Sequence, residues 1–166
     1  MNERIELRLQ PKYLDALIII FDLLKYQNIT WSLTGSVSHC IQGVNISPRD
    51  LDIITTKSGG KIINLILEKY IKQKISYIES DKIRSYFGTM MINSVRVEVF
   101  AEIENRMVDN IWESHIDWDK NITIVSIRNR QIPVLSLEYE YLIYSKLNKF
   151  RRADLILNAI RRLPIL

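Results

Sequence analysis

Asp50 and Asp52 stand one residue apart at the start of a short apolar run, and this spacing limits how the segment can fold. The run Leu51 to Thr55 has the length and composition of a strand. Successive side chains of a strand alternate between faces, so both aspartates point the same way, about 6 to 7 Å apart. Two carboxylates held so close repel each other unless a cation lies between them, and oxygen ligands suit Mg²⁺. Isolated pairs of this kind also occur at the ends of exposed strands. Whether Asp50 and Asp52 bind a metal therefore has to be judged from the neighbouring sequence.

The segment before the aspartates predicts an anion site. An apolar strand at 29–33 leads into Thr34-Gly35-Ser36, and Ser36 begins a short helix. Free backbone N–H groups, the Ser36 hydroxyl and the helix dipole favour a phosphate there, and Gly35 has no Cβ to block its approach. We therefore expect a phosphate cradle one loop before a magnesium-type pair.

A third acid follows in Val95-Arg96-Val97-Glu98-Val99. The alternation predicts a strand whose valines face the core, which puts Glu98 on the opposite face beside Arg96. Glu98 can thereby complete a triad of carboxylates with Asp50 and Asp52. This completion removes most of the ambiguity of the isolated pair.

The remaining periodicity predicts an α+β fold, a mixed β-sheet flanked by helices and followed by C-terminal helices. No repeat, linker or low-complexity tract divides the chain, so we expect a single domain over residues 1–166. The predicted elements are a helix at 11–27, strands at 29–33 and 51–55, a helix at 36–42, a helix after Ser58-Gly59-Gly60 with an apolar face through Ile71, strands at 85–92 and 95–101 joined by Asn93-Ser94, strand-like runs at 122–127 and 132–135, and two helices from Ser136 to about Leu163.

Composition limits the metal ligands and the partners that the chain can have. With one cysteine, Cys40, and two histidines, the chain has no plausible Cys/His zinc set, so any metal is held by carboxylates. The net charge of +4 mildly favours a polyanionic partner such as tRNA or a nucleoside triphosphate. The first ten residues lack the pattern of a secretory signal and the apolar run 14–24 is too short to span a bilayer, so we expect a cytoplasmic protein without a membrane segment.

Four features follow one another in the chain: Gly-Ser, a helix and loop of about a dozen residues, Asp-x-Asp on a strand, and an acid on a later strand. This pattern resembles that of the polymerase-beta-type nucleotidyltransferase superfamily. The resemblance covers residues 29–101, the expected catalytic core, and is strongest to small stand-alone members such as toxin, antitoxin-associated and abortive-infection nucleotidyltransferases. The C-terminal part, 122–163, is similar to the helices of such members in "EYLIYSKLNKFRRADLILNAI", where Lys146 and Asp154 fit the spacing of a lysine and an aspartate facing the cleft.

The resemblance implies a magnesium-dependent transferase that moves a nucleoside monophosphate from a triphosphate such as ATP to a hydroxyl and releases pyrophosphate. Asp50 and Asp52 would each bind two Mg²⁺ ions, and Glu98 would bind the second ion and orient or deprotonate the hydroxyl. Glu98 stands where aspartate is commoner in the superfamily. The residues expected to contact the nucleotide are Gly35, Ser36, Arg84 and Lys146.

Two classes of function stay open on the sequence. In the first, the enzyme is active and its acceptor is an RNA end, a protein hydroxyl or a small molecule such as an antibiotic. In the second, the fold has lost its chemistry and serves as a binding module in a toxin and antitoxin pair. The presence of all three acids and of Gly-Ser favours activity.

Overall fold

The computed structural model of the chain describes residues 9–114 and 117–162. The helices are α1 (Pro11–Leu24), α2 (Gly35–Ile41), α3 (Lys57–Ile66), α4 (Leu137–Lys146) and α5 (Phe150–Ile160). The strands are β1 (Trp31–Thr34), β2 (Leu51–Thr55), β3 (Ile71–Glu79), β4 (Ile83–Ile92), β5 (Val95–Arg106), β6 (Trp112–Ser114), β7 (Ile122–Ile127) and β8 (Arg130–Leu135).

Within the described residues the strands form one mixed sheet. Its order is β3-β4-β5-β2-β1-β8-β7, and β6 pairs with the end of β5. The pairs β2–β5 and β1–β8 are parallel, whereas the other pairs are antiparallel. The prediction of an α+β fold with a mixed sheet is confirmed, and strands from the middle and the end of the chain flank β1 and β2 at the centre.

The core lies between the sheet and α1. Pro11 begins this helix, and Leu14, Leu17, Ile20 and Leu24 are buried along one face, as the helical spacing predicts. They share a cluster with the inward valines of β5. Each such leucine stabilises the fold by about 1.5–3 kcal/mol through removal of its side chain from water. This packing holds β5 and β2 in place, and with them the acids on their opposite face.

Several predicted elements have the predicted form. The strand β2 spans Leu51–Thr55, as expected from the sequence. Asn93 and Ser94 connect β4 to β5 with φ of 48° and 62°, the left-handed conformation of a two-residue hairpin turn. Ser136 caps α4, and its hydroxyl accepts a hydrogen bond from the Tyr139 N–H at 3.3 Å.

The region between α3 and β4 differs from the prediction. The helix α3 begins at Lys57, before the two glycines, because the Thr56 hydroxyl accepts a hydrogen bond from the Gly59 N–H at 3.0 Å and caps it. It ends at Ile66, so Ile71, predicted on its apolar face, instead begins the edge strand β3. None of the described helices is long and apolar enough to cross a membrane.

Candidate active site

The structure brings Asp50, Asp52 and Glu98 together on one face of the sheet. Asp52 lies directly opposite Glu98 in the parallel pairing of β2 with β5, and Asp50 precedes β2. One carboxylate oxygen from each of the three lies within 4.8 Å of the others. Adjacent parallel strands therefore juxtapose acids that are 46 positions apart in the chain, the arrangement that the sequence predicts for a carboxylate triad.

The electrostatics of this cluster favour a cation. Burial, followed by the negative charges of Asp50, Glu98 and Glu140, raises the pKa of Asp52 well above its usual range. On the solvent side of the cluster, the Arg96 guanidinium forms an ion pair with Glu98, with 2.7 Å between the nitrogen and the carboxylate oxygen. The donor set consists of carboxylate oxygens, which suits Mg²⁺, and a bound divalent cation would offset the repulsion that burial strengthens.

Position 35 requires glycine because the Asp52 side chain lies against its backbone. Its φ is +69°, a left-handed conformation that residues with a Cβ rarely adopt, and it is the first residue of α2. A Cβ at this position would lie 2.0 Å from Asp52 Oδ2. The next residue, Ser36, donates its hydroxyl to the Asp50 carboxylate and main-chain oxygens at 3.3 Å each. In this structure the Gly-Ser pair thus supports the two aspartates.

Glu140, on α4, is a site residue that the sequence does not reveal. Its side chain is 3% exposed, and Oε1 accepts hydrogen bonds from the Thr34 hydroxyl at 2.7 Å and the Gly35 N–H at 3.3 Å. The predicted phosphate cradle therefore has one of its N–H groups already donated to a carboxylate. Glu140 in this way ties the C-terminal helices to the loop that supports Asp52.

His39 extends this network. The ring is fully buried, with Nε2 at 3.3 Å from Glu140 Oε2 and Nδ1 at 3.2 Å from an Arg152 nitrogen. Because arginine only donates, Nδ1 is the acceptor, and in the neutral ring the proton lies on Nε2 facing Glu140. His39 thus links α2 to both C-terminal helices, in keeping with a structural histidine.

A cavity of about 200 Å³ opens beside Asp52 and Gly35, between the sheet and α4. Its wall is mostly apolar, and Glu140 and Lys149 are the charged side chains that line it besides Asp52. The apolar lining residues are Ile54, Ile83, Phe100, Ile103, Leu135, Ile143 and Leu147. The cavity is a concave, largely apolar site next to the carboxylates, which is the usual setting for a bound small molecule.

Two residues predicted to contact the nucleotide lie elsewhere. Arg84 forms an ion pair with Glu104, and its guanidinium lies 4.7 Å from the ring centre of Trp112. Lys146 forms an ion pair with Glu113 and lines a smaller pocket next to the cavity. Their roles in nucleotide binding remain predictions. Lys149, which is not among the predicted nucleotide contacts, lines the cavity together with Asp52 and Gly35.

The fold and this cluster of acids are those of a nucleotidyltransferase. The model of the aminoglycoside-2''-adenylyltransferase family matches residues 16–156, so the chain belongs to that family. A search of curated protein sequences finds no match.

Solved structures agree with this assignment. TM1012 of Thermotoga maritima, to which nucleotidyltransferase activity is ascribed, is 35% identical with a TM-score of 0.79, over 92% of this chain and 95% of that one. The lincosamide adenylyltransferase LnuA, solved with lincomycin bound, is 15% identical with a TM-score of 0.60, over 94% and 99% of the chains. The antibiotic-resistance factor ANT(2'')-Ia is 13% identical with a TM-score of 0.54, over 90% of each chain. The last two share the fold.

Proposed function

We propose that the chain, acting as one unit, catalyses magnesium-dependent transfer of a nucleoside monophosphate from a nucleoside triphosphate to a hydroxyl acceptor, with release of pyrophosphate. The observation that carries the proposal is the set of three carboxylates within 4.8 Å of one another on neighbouring parallel strands. Membership of an adenylyltransferase family supports ATP as the donor.

Asp50, Asp52 and Glu98 would hold Mg²⁺, because each offers a carboxylate oxygen and these oxygens lie within 4.8 Å of one another. Bound there, Mg²⁺ would neutralise phosphate charge and lower the pKa of the acceptor hydroxyl. Glu98 is the acid that would accept the proton of the acceptor hydroxyl, since its side chain is 20% exposed and Arg96 pairs with its Oε1, which leaves Oε2 as the acceptor. In the transfer, the acceptor oxygen forms a bond to the α-phosphorus, its proton passes to a Glu98 oxygen, and the bond to pyrophosphate breaks.

The remaining residues of the cavity would bind and orient the triphosphate. Lys149 offers a positive charge in the same cavity as Gly35 and Asp52. The apolar residues of the cavity exclude water, which strengthens the attraction between an ammonium group and phosphate. Ser36 fixes Asp50 through its hydroxyl, so its contribution is to hold the ligand set in register.

The alternative of an inactive binding module rests on no specific observation at the site. A binding module has no need of three like charges that raise the pKa of a buried aspartate, because such a cluster destabilises the protein without a cation. The toxin and antitoxin pairing suggested by the resemblance stays a hypothesis about partners. The structure of the carboxylate cluster supports activity.

The test is incubation of the protein with Mg²⁺, each α-labelled nucleoside triphosphate, and total RNA, total protein, tobramycin or lincomycin as acceptor. We expect label to enter one acceptor class in the parent protein and not in Asp52→Asn. The matched control is Lys72→Ala, an exposed residue of the edge strand β3, which should transfer label as the parent does. Equal labelling by Asp52→Asn and the parent would overturn the proposal, as would absence of labelling with every triphosphate and acceptor.

A further inference from the structure

A second groove, of about 670 Å³, lies beside the active-site cavity. It is formed by the end of α4, the turn into α5 and the first turns of α5, with Asn45 and Ile46 from the loop before Asp50 on its other side. Of the residues that line this groove, the transfer chemistry described above uses only Lys149.

The groove is basic. Lys149, Arg151 and Arg152 line it, and no Asp or Glu of the described residues does. Asp154 follows closely in sequence but is not part of the lining. Neither Lys149 nor Arg151 forms an ion pair with any residue in the described ranges, and both are exposed. Unpaired positive charge along one groove attracts a polyanion and repels a polycation.

Aromatic side chains alternate with these charges. Phe150, the first residue of α5, lies in the groove and is 61% exposed. The Tyr144 ring is flanked by Lys149 at 5.5 Å and by Arg152 at 5.6 Å from its centre. Tyr144 is only partly exposed and both cations lie over its ring, so Phe150 is the exposed ring on which a base can stack while phosphates meet the cations, as on surfaces that bind single-stranded nucleic acid.

The groove adjoins the cavity, because Tyr144 and Lys149 line both. We propose that the groove binds a single-stranded polynucleotide whose terminal nucleoside carries the acceptor hydroxyl into the cavity. This inference rests on the proposed function and names its acceptor. The transfer joins the terminal hydroxyl oxygen to the α-phosphorus, breaks the α–β phosphoanhydride bond, releases pyrophosphate and passes the hydroxyl proton to Glu98.

The first measurement is the affinity of the protein, residues 1–166, for a fluorescein-labelled single-stranded RNA 12-mer with a free 3'-hydroxyl, at several salt concentrations. Each lost phosphate contact reduces the magnitude of the slope of log affinity against log salt by about 0.7. Relative to 1 M salt, this change makes binding at 50 mM salt weaker by about eightfold. We expect this change for Arg151→Ala. For Phe150→Ala we expect a loss of at least about fivefold from stacking. Lys72→Ala, which removes the same charge from the exposed edge strand β3, should bind within about twofold of the parent.

The second measurement separates the two sources of phosphate, the polynucleotide and the triphosphate substrate. Affinity for a non-hydrolysable ATP analogue should be the same in Arg151→Ala and the parent. A loss of affinity for the analogue with unchanged RNA binding would overturn the inference, because the groove would then receive the triphosphate. An equal loss of RNA binding in Lys72→Ala would overturn it too, since the effect would follow net charge alone.

The experiments distinguish failure of the proposed transfer from failure of the polynucleotide acceptor. If the protein labels tobramycin or lincomycin and does not bind the RNA, the transfer stands and the polynucleotide acceptor is refuted. If the RNA binds with the expected effects of the variants but no triphosphate yields labelled product, the groove is supported as a polynucleotide site while the proposed transfer is refuted. Melting temperatures of the variants, expected to match the parent because the substituted side chains are exposed, exclude loss of folding.

Discussion

Gly35→Ala tests the relation between the glycine and the carboxylates most directly. The substitution adds one methyl group at φ +69°, 2.0 Å from Asp52 Oδ2. Real Cβ contacts are essentially never shorter than 3.0 Å, so the carboxylate has to withdraw by about 1 Å. The left-handed conformation adds about 1–2 kcal/mol of strain for a residue with a Cβ.

The two effects predict different readouts. Strain of this size lowers the melting temperature of a chain of this length by about 2–8 °C. Displacement of a metal-binding or substrate-binding group by about 1 Å lowers the rate by about 100-fold. We therefore expect a folded protein with a small loss of stability and a large loss of label transfer and of Mn²⁺ binding, measured by calorimetry.

The matched control is Gly43→Ala, at the other glycine with positive φ, 94°, in the turn after α2. It should lose a similar amount of stability through strain, while transfer stays within about twofold of the parent. If Gly35→Ala and Gly43→Ala show the same activity, the contact between Gly35 and Asp52 does not govern the site and the reasoning is refuted.

Further expectations concern charges around the cavity. Because the raised pKa of Asp52 favours its protonated form in the folded state, its stabilising contribution is present below the ordinary aspartate pKa and is lost as pH rises through the raised value. In EDTA, the melting temperature of Asp52→Asn should therefore exceed that of the parent at pH 7, with a smaller difference at pH 4; an equal difference at both would contradict this. Lys149→Met should lower transfer about tenfold or more, whereas Lys146→Met, which loses an ion pair at the rim, should retain most of it; the reverse order would support the role predicted for Lys146 over that of Lys149. Glu140→Ala should destabilise by about 1–3 kcal/mol for each donor left unsatisfied and Glu140→Gln by less, as measured by urea unfolding.

Sequence patterns located the carboxylates because the relevant physics is local. Alternation within β2 and β5 fixes which faces Asp52 and Glu98 occupy, and their neighbours Leu51, Ile53, Val97 and Val99 are buried and apolar. The strand β3 was missed for the opposite reason. Most of its side chains are exposed on both faces, Lys72 and Lys74 among them, so it has no alternation, and the preceding helical periodicity carries through Ile71.

The sequence does not show which residues of the C-terminal helices contact the site, because these contacts join distant parts of the chain. Glu138 and Glu140 both suit the first turn of a helix, where acids interact well with the helix dipole. Glu138 is exposed, whereas Glu140 is buried against Gly35, and only the packing of α4 on the sheet distinguishes them. Lys146 and Lys149 differ in the same way, because the turn after α4 determines which lysine lines the cavity.

The hydrogen bond between Gly35 and Glu140 joins residues 105 positions apart, and β1 pairs in parallel with β8 beside it. During synthesis on the ribosome, β1 and both aspartates emerge well before either partner exists. Contacts of such long sequence separation form late, since loop closure precedes any gain from pairing. A nascent chain stalled before β8 would thus carry an open strand edge beside β1 and would lack Glu140 as the acceptor for the Gly35 N–H, so the loop that supports Asp52 would be completed only after the last helices have docked.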